Sequence, residues 1–268
     1  MSNYSSLAAS VLATLRERKP LVLCLTNNVV QQITANLLLS VGAAPVMLTR
    51  GDECADLLQA CANALLVNVG TLSGTQAETM ETAVRVAGEC SIPWVLDPVA
   101  VGLLNFRTGV AHKLLEINPP ALIRGNGSEI AALAGVTGAL ARGPESAQSS
   151  DAALEAARVL ALQTGAAVLV TGETDYATDG KTTISCTNGH ILMTRVTGVG
   201  CAMGALAAAC TASAGSPLEA AAATAAILGV AGEQAAARCQ APGSFATALL
   251  DELFTLTPDS LASSARLS

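Results

Sequence analysis

The chain has 268 residues, of which 51% are hydrophobic, 13% are charged and only 2% are aromatic. A formal net charge of −7 without a basic stripe argues against nucleic-acid binding, which depends on clustered Lys and Arg. Eight scattered cysteines without a C-x-x-C motif, and no signal-peptide pattern, predict reduced thiols in a cytoplasmic protein.

The composition also bears on assembly, membranes and metals. Few charges predict a sizeable interface between subunits, because monomers rarely leave wide apolar patches exposed. The Ala-rich segments 201–214 and 218–231 are interrupted by Thr, Ser and Gly, so we expect buried helices and no membrane span. Only two histidines, His112 and His190, are present, which argues against a His-rich zinc site or a His-dependent triad.

Short apolar runs alternate with helical patterns as far as Thr171. Strands are predicted at 21–25, 45–48, 65–69, 94–96, 121–124 and 166–171. Helices are predicted at 5–18, 28–40, 53–62, 75–90, 107–116, 128–134 and 151–164. This alternation is typical of a mainly parallel sheet with helices on both faces. The Gly, Ser, Pro and Gln-rich stretch 138–150 is predicted to be a surface loop.

The pattern changes after Thr171. Short segments at 176–177, 181–185 and 190–193 are separated by Asp179-Gly180 and Asn188-Gly189, pairs that favour tight hairpins and an antiparallel edge. Helices are then predicted at 201–214, 217–238 and 245–255. With no repeat or clear linker, we predict one α/β domain over 1–268. We expect this domain to be a three-layer sandwich, with the helix 5–18 and the tail 256–268 at its periphery.

Four loops follow predicted strands, where open α/β sheets bind ligands. The first, Thr-Gly-Val-Gly-Cys at 197–201, opens a helix, so its backbone N–H groups and the helix dipole favour an anion. Cys201 would lie in the first helical turn, where the pKa of a thiol tends to fall. A plain glycine turn with Cys201 packed inside is the alternative.

The other loops carry charged and polar groups. Asp97, at a strand end before Pro98, could hold Mg²⁺, although taken alone this segment favours a simple Asp-Pro turn. Arg124 could bind a phosphate, and Asn126 and Glu129 could face one side of a turn, although Glu129 also suits a first helical turn.

The fourth loop, 171–175, begins with Thr171 and could meet nucleotide phosphates or form a simple turn. Together the four loops place an anion site, two carboxylates and an arginine at one sheet edge, an arrangement that favours phosphoryl transfer.

The chain resembles the hydroxyethylthiazole kinases of thiamine biosynthesis, within the ribokinase-like superfamily, from about residue 20 to 255. The matching segments are 25–27 (Leu-Thr-Asn), 34–36 (Thr-Ala-Asn), 42–47 (Gly-Ala-Ala-Pro-Val-Met), 68–72 (Asn-Val-Gly-Thr-Leu), 96–99 (Leu-Asp-Pro-Val), 124–130 (Arg-Gly-Asn-Gly-Ser-Glu-Ile), 170–173 (Val-Thr-Gly-Glu) and 197–201. The resemblance implies a ribokinase-like fold and ATP-dependent phosphorylation of the hydroxyl of 4-methyl-5-(2-hydroxyethyl)thiazole. It also implies a homotrimer with active sites between subunits.

The resemblance further implies a role for each matching residue. Arg124 and Thr171 would bind ATP with Asn126 nearby, and Asp97 and Glu129 would hold Mg²⁺. The thiazole would be bound by Asn27, Met47, Asn68 and Gly198. Catalysis would depend on the turn formed by Gly198, Gly200 and Cys201, with Cys201 where most ribokinase-like enzymes carry an Asp general base.

Three other functions are compatible with parts of the pattern. A related kinase acting on a pyrimidine alcohol or a sugar would have the same phosphate-binding loops. A nucleotide-binding regulatory subunit would share the site without turnover. A Rossmann dehydrogenase is disfavoured because no Gly-x-Gly-x-x-Gly follows the first strand.

Overall fold

The computed structural model describes residues 3–136 and 150–268, in which helices cover both faces of one eight-stranded sheet. The elements up to residue 133 are α1 (Asn3–Arg18), β1 (Leu21–Leu25), α2 (Gln31–Val41), β2 (Ala44–Val46), α3 (Gly51–Ala60), β3 (Ala64–Asn68), α4 (Gly74–Glu89), β4 (Trp94–Asp97), α5 (Asn105–Ile117), β5 (Leu122–Asn126) and α6 (Gly127–Leu133).

The elements from residue 150 onward are α7 (Ser150–Thr164), β6 (Ala167–Thr171), β7 (Asp175–Thr178), β8 (Thr183–Cys186), a 3₁₀ helix (Ile191–Arg195), α8 (Val199–Thr211), α9 (Pro217–Arg238), α10 (Pro242–Thr255) and α11 (Pro258–Ser264). Residues 138–149 of the predicted surface loop lie outside the described residues, and Ser150 begins α7.

The strand order is β2-β1-β3-β4-β5-β6-β7-β8. The pairs from β2 through β6 are parallel, whereas β6–β7 and β7–β8 are antiparallel. The predicted α/β sandwich with an antiparallel edge is therefore confirmed. Register matters for the site, because Asn68 lies opposite Asp97 and Asn126 lies opposite Thr171 at the carboxyl ends of their strands.

Strands β1, β3, β4 and β6 are mostly apolar because helices cover both faces of the sheet, whereas β7 and β8 at its edge carry several polar residues. Along β1, Val22 and Cys24 join one core cluster, whereas Leu23 and Leu25 join the other, as the two-residue repeat of a strand requires. The Ala-rich α8 and α9 lie in the first cluster, where small side chains let helices approach the sheet closely. Helix α9 is apolar and long enough to span a membrane, but 78% of its most apolar stretch is buried in this fold.

The predicted strand at 190–193 is wrong, since those residues enter the 3₁₀ helix Ile191–Arg195. The position beside β8 is taken instead by Leu267, which forms an antiparallel bridge with Cys186. The Asp179-Gly180 hairpin between β7 and β8 is confirmed, and Gly180 adopts a φ of 89°.

The two segments expected at the periphery contribute buried side chains. Leu12 and Leu15 of α1 are fully buried, as is Leu261 of α11. The remainder of the tail also holds Leu267 with only 5% of its surface exposed. Both segments therefore pack into the first core cluster.

Candidate active site

A chain of hydrogen-bonded side chains runs along the carboxyl edge of the sheet, from α8 to β4. The amide of Asn27 donates to the Cys201 sulfur at 3.4 Å and to Asn68 Oδ1 at 3.0 Å. Asn68 Nδ2 then donates to Asp97 Oδ2 at 2.5 Å. Asn68 is fully buried between Asn27 and Asp97, so its side chain is not on the surface that a substrate would contact.

Asp97 is a buried carboxylate with one unsatisfied oxygen. Among the described residues, no hydrogen bond reaches Oδ1, which lies 3.7 Å from Arg124 Nη1. Burial raises the pKa of Asp97 to about 7, and the charge of Glu129 adds to that increase. The Arg124 charge and the Asn68 hydrogen bond oppose it. A cation beside Oδ1 would offset the cost of this buried charge.

Arg124 joins Asp97 to the neighbouring strand and to α8. Its Nη2 donates to Thr171 Oγ1 at 2.9 Å. A Cβ atom on Gly200 would lie 3.2 Å from the same nitrogen, so the guanidinium rests against the first turn of α8. A side chain at position 200 would therefore require the guanidinium of Arg124 to shift.

The Gly198 turn opens α8 as predicted. Gly198 is the N-cap, with a φ of 91° that favours glycine. A Cβ there would lie 2.7 Å from Ile33 Cγ2 and 2.8 Å from Val30 Cγ1. With no side chain to cap the helix, the first backbone N–H groups of α8 are available to an anion.

The prediction that the pKa of Cys201 falls is wrong. Burial raises the pKa of this thiol, and the negative charge of Asp97 raises it further. Hydrogen bonds from Asn68 and Asn27 and the charge of Arg124 act in the opposite direction without reversing the shift. Cys201 is consequently a neutral thiol near neutral pH.

Glu129 and Asn126 cap α6 reciprocally. Asn126 Oδ1 accepts from the Glu129 N–H at 3.0 Å, and Glu129 Oε2 accepts from the Asn126 N–H at 3.0 Å. Glu129 Oε1 accepts a third bond from the Ala100 N–H at 3.0 Å. Within residues 3–136 and 150–268, no group of three or more His, Cys, Asp or Glu side chains could hold a metal. Any ion here would need ligands from water or substrate.

Two cavities adjoin this edge. The larger, of about 690 Å³, has Arg124, Thr171 and Gly200 among its lining residues. The smaller, of about 260 Å³, is lined in part by Thr26 and Met47. Of the sequence-predicted site residues, Arg124, Thr171 and Gly200 line the larger cavity, which also has charged side chains in its lining, and Met47 lines the smaller one, whose lining carries no charged residue among those that the structure describes.

The structure also reveals a site residue that the sequence analysis did not single out. Asp175 lines the larger cavity and accepts a hydrogen bond from the Gly172 N–H at 3.0 Å. Burial raises its pKa to about 6, against the lowering effects of that hydrogen bond and of Arg124. Asp is common at the start of a hairpin, so the sequence alone does not show that this side chain is partly buried.

We expect Asp175→Asn to stabilise the protein increasingly as pH rises. The folded-state pKa of Asp175 is above its unfolded value, so the folded state binds more protons and wild-type stability falls across this range. The variant keeps the Gly172 contact without the charge, and its advantage should grow by about 1 kcal/mol between pH 5 and pH 8. Urea unfolding at both pH values measures this, and a pH-independent difference would contradict it.

Comparison with known proteins extends over almost the whole chain. A hydroxyethylthiazole kinase from Pyrococcus horikoshii has a solved structure that superimposes with a TM-score of 0.89 at 35% identity, covering 97% of this chain and 98% of that one. A Staphylococcus aureus pyridoxal kinase in complex with AMP-PCP and pyridoxal gives a TM-score of 0.62 at 19% identity, with 80% and 88% covered. The latter likeness supports the predicted ribokinase-like fold.

The sequence relatives are closer. A hydroxyethylthiazole kinase of Akkermansia muciniphila is 56% identical over 255 residues, covering 95% of this chain and 93% of the relative. One of Kineococcus radiotolerans is 49% identical, with 94% and 91% covered. The model of the hydroxyethylthiazole kinase family matches residues 12–259. The chain belongs to the hydroxyethylthiazole kinase family.

Proposed function

We propose that the protein transfers the γ-phosphoryl group of ATP to the hydroxyl of 4-methyl-5-(2-hydroxyethyl)thiazole, releasing ADP. The observation that carries this proposal is the meeting of Asp97, Arg124 and the glycine-opened start of α8 at one sheet edge. Phosphoryl transfer depends mainly on positioning and on neutralising charge, and these groups supply both.

The larger cavity is the proposed ATP site. Arg124 and Thr171 line it and are joined by a hydrogen bond, so a phosphate would meet a guanidinium already oriented by the protein. Asn126 lies at the end of β5, beside Thr171 in the sheet register.

Mg²⁺ fits the donor set at Asp97 and Glu129. Asp97 offers the unsatisfied Oδ1, whereas the Glu129 carboxylate already accepts hydrogen bonds from the Ala100 and Asn126 N–H groups and would act through water. Magnesium is commonly bound by one or two carboxylates together with water and substrate phosphates. When bound, the ion would neutralise charge that develops on the phosphates.

The smaller cavity is the proposed thiazole site. Met47 lines it, and Asn27 follows Thr26, which is also part of the lining. Gly198 lies against Val30 and Ile33, which follow β1 in the chain, and this proximity supports its proposed contact with the thiazole. Asn68 would act indirectly, by orienting Asn27 through the 3.0 Å hydrogen bond.

In the proposed reaction, the alcohol oxygen forms a bond to the γ-phosphorus while the bond from that phosphorus to the β–γ bridging oxygen breaks. The amides of the Gly198–Cys201 turn and Arg124 would stabilise the transferring group. The alcohol proton leaves late in a loose transition state, so a strong base is not required. Cys201 would accept or orient this proton through its minor thiolate form.

We therefore expect Cys201→Ala to remain active, with kcat lowered by about 10²-fold at most. The raised pKa of the thiol leaves little thiolate to act as base near neutral pH. Steady-state kinetics of the purified variant measures this. A variant with no detectable turnover but unchanged ADP binding would show that Cys201 is indispensable.

A coupled ADP-release assay with hydroxyethylthiazole, with and without Mg²⁺, tests the proposed function. Turnover that needs both the thiazole and the metal is expected. Faster turnover of a pyrimidine alcohol or a sugar in the same assay would favour the related-kinase alternative. Nucleotide binding without ADP release would instead favour a regulatory subunit.

We also propose a cytoplasmic homotrimer with active sites between subunits. Several large apolar side chains near the site edge are exposed, including Val29 at 64% and Leu103 at 73%. Contacts between subunits would remove these apolar side chains from water. Light scattering after gel filtration should give three times the mass of the chain, and a stable monomer would contradict the trimer.

A further inference from the structure

One wall of the larger cavity lies outside the sheet. This wall, residues 188–194, contributes Asn188, Gly189, His190, Ile191, Met193 and Thr194 to the lining. It lies directly on α9, where a Cβ on Gly229 would be 2.7 Å from Asn188 Cβ and one on Gly232 would be 2.6 Å from Met193 Sδ. The two glycines therefore set the distance between the 188–194 wall and α9.

Glu233, the next residue of α9, fixes the start of this wall. Its Oε1 accepts from the Gly189 N–H at 2.9 Å and its Oε2 accepts from Asn188 Nδ2 at 3.1 Å. Arg266 donates to both oxygens of the same carboxylate, at 3.1 Å to Oε2 and more closely to Oε1. One carboxylate thus joins α9, the wall and the segment that ends beside β8.

Asn188 is held from the same side. Its Oδ1 accepts from the Arg266 N–H at 2.6 Å, and its Nδ2 also donates to the Ser264 carbonyl at 3.1 Å. Asn188 is 5% exposed, and its amide is used by protein partners. It therefore supports the wall, whereas the residues that follow it face the cavity.

The charge of Glu233 is maintained by these contacts. Burial alone would raise the pKa of Glu233, but the hydrogen bonds from Arg266, Gly189 and Asn188 lower it. Glu233 and Arg266 therefore form an ion pair at neutral pH, and the Gly189 N–H and the Asn188 amide add two neutral hydrogen bonds to the Glu233 carboxylate.

We propose that Glu233 and Arg266 are positioning residues for the nucleoside part of ATP, because they fix the wall against which it binds. The inference rests on the proposed function, in which Arg124 and Thr171 hold the phosphates in the same cavity. Ile191, Met193 and Leu228 give the remainder of the lining an apolar character that suits a nucleobase better than a phosphate.

Kinetics of Glu233→Ala test this proposal. The KM for ATP should rise about 10-fold, as expected for loss of several hydrogen bonds to a charged group, while the KM for the thiazole and kcat change less than about 2-fold. Glu233→Gln keeps an acceptor for the Gly189 N–H and should give a smaller rise. Arg266→Met leaves the Glu233 contacts to the wall intact, so its effect should also be smaller than that of Glu233→Ala.

Glu252→Gln is the matched control, because Glu252 forms a 2.5 Å ion pair with Arg238 at the end of α9, and within residues 3–136 and 150–268 no hydrogen bond or ion pair joins its side chain to the wall. It should leave the KM for ATP unchanged. Calorimetric titration with ADP and with tripolyphosphate distinguishes the two halves of the nucleotide. Glu233→Ala should weaken ADP binding and leave tripolyphosphate binding unchanged.

Equal weakening of both ligands, or an unchanged KM for ATP in a folded Glu233→Ala protein, would overturn the proposal. If the wild type bound ADP but failed to phosphorylate the thiazole, the proposed function would fail. The ADP titrations of the variants would still decide the role of Glu233. Thermal unfolding of each variant shows whether the fold is retained.

Discussion

Replacing Gly198 with alanine is expected to lower kcat/KM by at least about 10²-fold, the effect of losing one donor to a developing oxyanion. The φ of 91° disfavours any residue with a Cβ, and that atom would lie 2.7 Å from Ile33 and 2.8 Å from Val30. The first turn of α8 must then move, and the N–H groups that should face the transferred phosphoryl group move with it. Initial-rate kinetics with saturating ATP measures the loss.

Gly165→Ala provides the matched control for this variant. Gly165 also has a positive φ, of 74°, but a Cβ there would meet no atom within 4 Å, and it lies at the opposite end of β6. Both variants should lose about 1 kcal/mol of stability through backbone strain, and only Gly198→Ala should lose activity. Normal turnover by Gly198→Ala would show that the position of this turn is not critical for transfer.

Asp97→Asn is expected to lower kcat/KM by about 10²- to 10³-fold and to raise the Mg²⁺ concentration needed for half-maximal rate. Donors approach both oxygens of Asp97, from Asn68 at 2.5 Å and from Arg124 at 3.7 Å. An asparagine must turn its own NH₂ group toward one of them. Asp97→Asn therefore removes the negative charge and also breaks the contact of this side chain with either Asn68 or Arg124.

Asp175→Asn separates the role of Asp97 from a general effect of buried negative charge. Asp97 is fully buried and Asp175 partly buried, the charge of Arg124 acts on both carboxyl groups, and both have raised pKa values. Asp175→Asn should keep the Mg²⁺ dependence of the wild type. If it impaired magnesium activation as much as Asp97→Asn, the assignment of Asp97 as a metal ligand would be contradicted.

The strand positions could be predicted because the sheet is buried on both faces. Continuous apolar runs such as Leu21–Leu25 have no competing interpretation once a helical pattern follows each of them. Helix α9 was predicted with its observed bounds, since Pro217 marks its start and the apolar pattern continues to Arg238. Neighbouring residues in the chain determine where these elements begin and end, so they can be predicted from the sequence.

Long-range contacts account for what could not be predicted. The 190–193 segment resembles a strand locally, but residues near Leu267 occupy the edge of the sheet that it would need. The rise in the Cys201 pKa depends on burial and on Asp97, more than 100 positions away in sequence. Likewise, the proposed role of Glu233 depends on its contact with Arg266, which lies 33 positions further along the chain.

The pairing beside β8 also affects the behaviour of the protein in concentrated solution. An exposed strand edge is a template for pairing with another chain, and short or covered edges suppress this. The backbone of Ser268 exchanges two hydrogen bonds with Ser185 of β8, at 2.8 and 3.1 Å. At the other end of the sheet, β2 has only three residues. The sheet therefore presents little free edge at either end, which protects it against edge-to-edge aggregation.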